Sequence, residues 1–229
     1  MSTTAPPDIR AARDERVVGA LALALAASLV VQNAVVVWAA APSYAAPMTE
    51  VLAFHADHRG AVAIAVGLEA LNLPLLLGFL AGLRGLVEQR GGAGAVWSRL
   101  ALTAGAVLSA AFGLYAVLWI GTVLVADGLT GPTPLLELVW QLHAAAFAFV
   151  LSALGTTLVA AALTTHAGRL TAPWQRWLGL VGGGLMLAAG AASLPIADGS
   201  PLLFVGMPGY AAWLVWLLAT GVRLVRRAA

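Results

Sequence analysis

The chain has 229 residues, of which 61% are hydrophobic and only 10% charged, and its formal net charge is +2. Soluble domains usually carry about 25% charged residues, so this composition excludes an ordinary water-soluble fold, and the small net charge argues against a nucleic-acid partner. Because the chain contains no cysteine, disulfides, thiolate metal sites and iron–sulfur clusters are excluded as well.

Long apolar stretches predict the architecture. A helix needs about 20 apolar residues to cross the hydrocarbon core of a bilayer. Six stretches have this length, and they are residues 17–41, 60–83, 99–126, 135–164, 177–197 and 203–224. Segments rich in proline, glycine and charge separate them, which is typical of turns outside the membrane. The sequence therefore predicts an all-α, six-helix transmembrane bundle over residues 17–229, preceded by a mobile polar tail of residues 1–16.

The arginines predict the orientation of the bundle. Eleven of the twelve basic residues lie on the side of the two termini, and only Arg59 falls on the other side. Basic residues collect on the cytoplasmic side of membrane proteins, so we expect both termini in the cytoplasm and a multi-pass protein of a bacterial inner (cytoplasmic) membrane. A cleaved signal peptide is the alternative for the first span, but its apolar run of about 25 residues exceeds the roughly 7–15 of a signal peptide.

Polar and aromatic side chains of five spans fall at one depth. Glu69 lies roughly 13 Å from the outer end of its span, at a rise of about 1.5 Å per residue. At a similar level lie the residues that we predict to bind a ligand: Asn33, Asn72, Tyr115, Trp119, Trp140, Gln141, Tyr210 and Trp213. The inner halves of the spans are almost entirely apolar, so we expect a cavity in the outer half of the bundle, closed toward the cytoplasm.

Two ionisable residues in this layer are the candidate catalytic groups. An ionised carboxylate near the centre of a membrane helix costs about 2.5–3.5 kcal/mol, so we expect Glu69 to stay protonated, as the acid of the site, or to find partners. His143 would be its base or hydrogen-bond partner. In the alternative interpretation, Glu69 is a structural clamp bonded to an amide such as Asn33 or Asn72, and His143 only packs between helices.

The first outer connection contains a weak candidate for a metal site. Imidazole and carboxylate groups suit divalent ions, and the segment FHADHRG supplies His55, Asp57 and His58. A solvated loop is the favoured interpretation, because the motif is short. Haem held by His143 and a loop histidine would be strained, since the loop lies well above His143.

Tyr44 lies near the end of the first span and is assigned to the aromatic belt at the membrane surface.

These observations lead to three hypotheses on function. The first is a membrane-embedded binder of, or enzyme on, a small apolar or amphipathic molecule of the isoprenoid, quinone or lipid class. The second is a proton- or cation-coupled transporter, and the third is a non-catalytic assembly subunit. Expected partners are membrane lipids, a hydrophobic ligand and a second copy packed through Gly179 and Gly183 of the fifth span. No motif specific to a family or a nucleotide cofactor is present.

Overall fold

The computed structural model describes residues 7–228, and this part of the chain is all-helical. Its helices are α1 (Pro7–Trp38), α2 (Met48–Asp57), α3 (Arg59–Gln89), α4 (Ala95–Ala126), α5 (Pro134–Ala167), α6 (Pro173–Ala191), α7 (Ser193–Ala197) and α8 (Leu203–Arg227). The all-α prediction is confirmed for these residues. The first connection, predicted as a loop, contains the helix α2.

Within the described residues, five helices are long and apolar enough to cross a membrane, and these are α1, α3, α4, α5 and α8. The predicted span 177–197 is not one continuous helix, because it is divided into α6, of 19 residues, and the short α7. Proline has no N–H group and cannot donate to the carbonyl four residues earlier in a helix. Pro195 therefore leaves the carbonyl of Ala191 without its helical partner, and α6 ends at Ala191.

Helix α1 begins ten residues before the predicted first span. The predicted tail of residues 1–16 is thus helical from Pro7 onward, and its residues 1–6 lie outside the described residues. Near the start of α1, Arg16 donates to the carbonyl of Ala228 at 2.6 Å and Glu15 forms a salt bridge with Arg90. These contacts fasten the polar first turns of α1 to the ends of α3 and α8.

The long helices form a closed ring. Each packs mainly on two neighbours, in the order α1, α3, α4, α5, α6, α8 and back to α1. The end that carries the two chain termini is called the terminal end below, and the opposite end, which carries α2 and α7, is called the α2 end. The terminal half of the ring is filled by a cluster of buried apolar residues that includes Val18, Leu83, Leu86, Leu158, Leu170 and Leu224.

Glycines allow α5, α6 and α8 to approach closely. A Cβ atom on Gly183 of α6 would lie 2.8 Å from the carbonyl oxygen of Gly155 on α5, and one on Gly209 of α8 would lie 2.4 Å from the carbonyl oxygen of Gly182. A Cβ atom on Gly179 would lie 2.3 Å from the Cβ of Ala162. The close approach that Gly179 and Gly183 permit is therefore used inside the chain, between α6 and α5.

Candidate functional site

A cavity of about 600 Å³ lies at the α2 end of the ring. Five of the long helices line it, all except α6, and the two connections at residues 41–44 and 199–201 border it. Its volume is in the range of about 300–1,000 Å³ that is usual for small-molecule sites. A second depression, of about 720 Å³ near Arg223 and Arg226, is an open groove on the outer surface of α8. The cavity inside the ring is therefore the candidate site.

His143 of α5 lies in a stack of aromatic rings at the cavity wall. Its imidazole lies between the ring of Tyr115, 4.3 Å away between centroids, and the ring of Trp140, at 5.1 Å. Trp119 is also close, at 5.6 Å. Only 2% of His143 is exposed, yet neither of its ring nitrogens is hydrogen-bonded within the described residues. An imidazole held this way can donate or accept one hydrogen bond to a molecule in the cavity.

Tyr44 also belongs to this wall, so its assignment to the membrane-surface belt is wrong. Its ring lies 5.2 Å from that of Trp140 and 5.6 Å from that of Phe147. Burial, together with the neighbouring Tyr115, raises the pKa of the Tyr44 phenol well above its ordinary value. The loop that carries Tyr44 packs on Gly199, where a side chain would lie 2.6 Å from the Cβ of Ala45. This contact between two distant loops leaves no signal in the local sequence.

His55 joins α2 to α4 at the border of the cavity. It is fully buried, its Nδ1 lies 2.7 Å from the carbonyl oxygen of Val51, and its Nε2 accepts a hydrogen bond from Trp119 Nε1 at 3.2 Å. The neutral Nδ1–H tautomer satisfies both contacts, and burial lowers the pKa of His55. Asp57 and His58 are exposed, and the described residues contain no group of three metal-binding side chains.

Glu69 of α3 is held by an amide network at the inner side of the cavity. Gln32 Nε2 donates to Glu69 Oε2 at 2.6 Å and to the carbonyl of Ala65 at 3.2 Å. Asn72 Nδ2 in turn donates to Gln32 Oε1 at 2.8 Å. Glu69 is 3% exposed and Asn72 is 4% exposed. The carboxyl thus has one fixed donor, and the donor is itself fixed by a third side chain.

None of the three expected partners of Glu69, which are Asn33, Asn72 and His143, bonds its carboxyl group; Asn72 reaches it only through Gln32. Asn33 donates instead to the hydroxyl of Tyr210 and to the carbonyl of Leu29, both at 2.7 Å. Successive residues of a helix differ by about 100° in direction, so Gln32 points to Glu69 and Asn33 to α8. The described residues contain three salt bridges and Glu69 takes part in none of them, so His143 is not its ion-pair partner.

Seven of the ten predicted catalytic and ligand-binding residues line the cavity: Asn33, Glu69, Tyr115, Trp119, Trp140, His143 and Tyr210. Asn72 and Trp213 line a much smaller cavity, of about 20 Å³, which Glu69 also borders. Gln141 lies outside both, because it is about 200° around α5 from His143. Its side chain is exposed and donates to Glu137 Oε1 at 3.4 Å.

Three residues of this site were not predicted from the sequence. Gln32 directly precedes Asn33 but is absent from the predicted ligand-binding residues, Tyr44 was expected in the aromatic belt, and His55 was expected in a solvated loop. All three line the cavity.

Comparisons with known proteins find no match for this chain, whether with a family model, a curated protein or a solved structure.

Proposed function

We propose that this protein is a membrane-embedded binder of, or enzyme on, a small apolar or amphipathic molecule. The observation that carries the proposal is the cavity itself, which combines aromatic walls with one deep carboxyl group. Small-molecule sites typically have mostly apolar walls and a few placed polar groups. Here the walls include Trp119, Trp140 and Phe147, and the polar groups are Glu69 and His143.

The proposal includes a topology of six spans with both termini in the cytoplasm. Helix α6 would then be the sixth span, since it fills a place in the ring between α5 and α8. Its 19 residues correspond to about 28 Å at a rise of 1.5 Å per residue, close to the 30 Å of a hydrocarbon core. The positive-inside rule gives the orientation, and it places the cavity in the outer half of the membrane.

In this function Glu69 and His143 act on different parts of the ligand. They are not paired with each other, and the ring of Tyr115 stacks on His143. Glu69 would hold or protonate the polar end of the ligand, at the inner side of the cavity. The free nitrogens of His143 would bind a second polar group near the wall. The aromatic rings would pack on the apolar body of the ligand.

A transporter and an assembly subunit are the alternatives. A transporter would need a path from the cavity to the terminal end, where buried Leu83, Leu158 and Leu170 pack together. The hydroxyls of Thr157 and Thr164 bond carbonyls of their own helix. In an assembly subunit the polar side chains would serve only to pack the helices together. That role does not explain why a cavity lies beside them. Binding inside the ring is therefore the favoured function.

A cavity-filling substitution tests the proposal. Val36 of α1 lines the cavity, whereas its neighbour Val37 is 77% exposed on the outer surface of α1. The chain and the variants Val36→Trp and Val37→Trp are purified in a mild detergent, and the molecules that co-purify are extracted and identified by mass spectrometry. We expect a ligand in the wild type and in Val37→Trp that is lost in Val36→Trp.

Other results would contradict this function. If no molecule other than bulk lipid and detergent co-purifies with the wild type, or if Val36→Trp retains the ligand as fully as Val37→Trp does, the cavity is not the binding site. Melting temperatures of both variants show whether they are folded.

A further inference from the structure

The charges around the cavity restrict the kind of molecule that it can bind. Glu69 is the only acidic residue among the residues that line it, and no arginine lines it in the part of the chain that the structure describes. The described salt bridges lie at the two ends of the ring: Arg59–Asp127 at the α2 end, and Arg84–Glu88 and Arg90–Glu15 at the terminal end. Among the described residues, the cavity therefore offers an anion no arginine or lysine, and its one carboxyl group has no ion-pair partner.

The hydrogen bonds of Glu69 prepare it for a positively charged partner. Asn72 donates to the oxygen of the Gln32 amide, so the nitrogen of that amide faces Glu69. Glu69 Oε2 thus accepts a hydrogen bond within the protein, which is a contact that stabilises a carboxylate. A cationic ligand would supply the missing counter-charge. Burying a charge without such a partner is costly in a membrane.

Aromatic rings near Glu69 favour the same class of ligand. Tyr115 and Tyr210 line the cavity together with Glu69, and Trp119 and Trp140 stand further along the wall. The face of an aromatic ring attracts a cation, most strongly where water is excluded. A molecule with a positive centre beside Glu69 and an apolar body toward Trp140 would thus place its charge next to a carboxyl group and its apolar part against aromatic rings.

We infer that the ligand is a lipophilic organic cation, an amine or an onium ion, whose positive centre binds at the Glu69 carboxylate. This inference rests on the proposed function and adds the charge of the ligand to it. When Glu69 is protonated in the free protein, binding releases one proton to solvent: the carboxylic acid loses H⁺ and the resulting carboxylate pairs with the cation. Binding is then stronger at higher pH, and one proton is exchanged for one cation.

Tetraphenylphosphonium and its uncharged relative triphenylphosphine oxide test this inference. Binding to the purified, ligand-stripped protein is measured by quenching of tryptophan fluorescence, since Trp119 and Trp140 line the cavity, and by calorimetry at several pH values. We expect the cation to bind at least about tenfold more tightly than the neutral compound, the effect of one charge-assisted contact. We also expect its affinity to rise with pH.

Substitutions of Glu69 test whether the preference for the cation depends on its carboxyl group. Glu69→Gln should lower the affinity for the cation by about tenfold or more and leave that for the neutral compound unchanged, and Glu69→Asp should retain the preference. The control is Glu137→Gln, an exposed acid of α5 outside the cavity, which should change neither. If wild type binds the neutral compound as tightly as the cation, or if the preference survives Glu69→Gln, the inference is overturned. The extraction experiment with Val36→Trp decides the proposed function separately.

Discussion

Replacing Gly183 by alanine tests the packing that brings α6 into the ring. Gly183 follows Gly182 and precedes Gly184, and these three neighbours face different surroundings. A Cβ atom on Gly183 would lie 2.5 Å from Val159 Cγ2 and 2.8 Å from the carbonyl oxygen of Gly155. A Cβ atom on Gly184 would have no atom within 4 Å. Both substitutions add one methyl group to α6. In Gly183→Ala the methyl group collides with α5, and in Gly184→Ala it meets no other atom.

The cost of Gly183→Ala follows from these contacts. The side chain of Val159 can move, but the carbonyl of Gly155 belongs to the backbone of α5, so the two helices must separate. Overpacking of this kind costs about 1–3 kcal/mol, and the better helix propensity of alanine returns up to about 1 kcal/mol. Since Gly184→Ala gains the same propensity without the collision, we expect Gly183→Ala to be less stable than Gly184→Ala by about 1–3 kcal/mol, which corresponds to a melting temperature lower by about 2–12 °C for a chain of this size. Gly184→Ala should leave the melting temperature unchanged or raise it slightly.

Thermal unfolding of the purified variants, followed by intrinsic tryptophan fluorescence, measures this difference. The two proteins are compared in one detergent at one pH. Equal melting temperatures for Gly183→Ala and Gly184→Ala would refute the reasoning, because α6 would then not pack on α5 through the face that carries Gly183. A lower melting temperature for Gly184→Ala than for Gly183→Ala would place the face of α6 that carries Gly184, about 100° around the helix, against the ring.

Three further predictions concern the cavity and the topology. Burial lowers the pKa of His55 below its ordinary 6.5, so the native protein binds fewer protons than the unfolded chain, and its stability falls as the pH drops below about 6.5. In melting curves measured between pH 7 and 5, His55→Gln should flatten this pH dependence. The control His58→Gln, at an exposed position, should leave the pH dependence unchanged. Glu69→Gln keeps an acceptor for Gln32 and should melt like the wild type. Glu69→Leu should lower the free energy of unfolding by only about 1 kcal/mol, since the Gln32 amide still donates to the carbonyl of Ala65. A loss as large as that caused by an unpaired buried charge would contradict the hydrogen bonds described for Glu69, Gln32 and Asn72. Reporter fusions at the C-terminus and in the 127–133 connection should report opposite sides of the membrane; activity on the same side would refute the six-span topology.

Hydrophobicity along the chain was enough to predict most helices. Apart from the first and the divided fifth, the predicted spans agree with the helices within a few residues; for example, span 99–126 corresponds to Ala95–Ala126. This works because a bilayer demands a long apolar run with all backbone groups bonded inside the helix. Hydrophobicity did not predict the division at Ala192, which a local feature, Pro195, explains. It also did not predict the helical first turns of α1, because these are polar and are held by contacts with distant residues such as Arg90.

The sequence also placed several residues of the cavity at a common level along their helices. Glu69, His143, Tyr115 and Trp119 were placed at one level by the helix rise alone, and all four line one cavity. The rise per residue is nearly constant in any α-helix, so depth can be counted from a span end without knowledge of packing.

Only the tertiary structure decided which way each side chain faces. Helices that are apolar on all sides carry no pattern that distinguishes the interior face from the lipid face, so Gln32 could not be separated from Asn33, nor Trp140 from Gln141. The places of Tyr44 and His55 depend on loops and a short helix that pack on residues far away in the chain, such as Trp140 and Trp119. Composition and periodicity therefore determined that the chain is helical, that several of its helices are long and apolar enough to span a membrane, and which polar groups lie at a similar level along those helices. Helix rotation and long-range loop contacts, which depend on how all the helices pack together, determined which of those groups share a cavity.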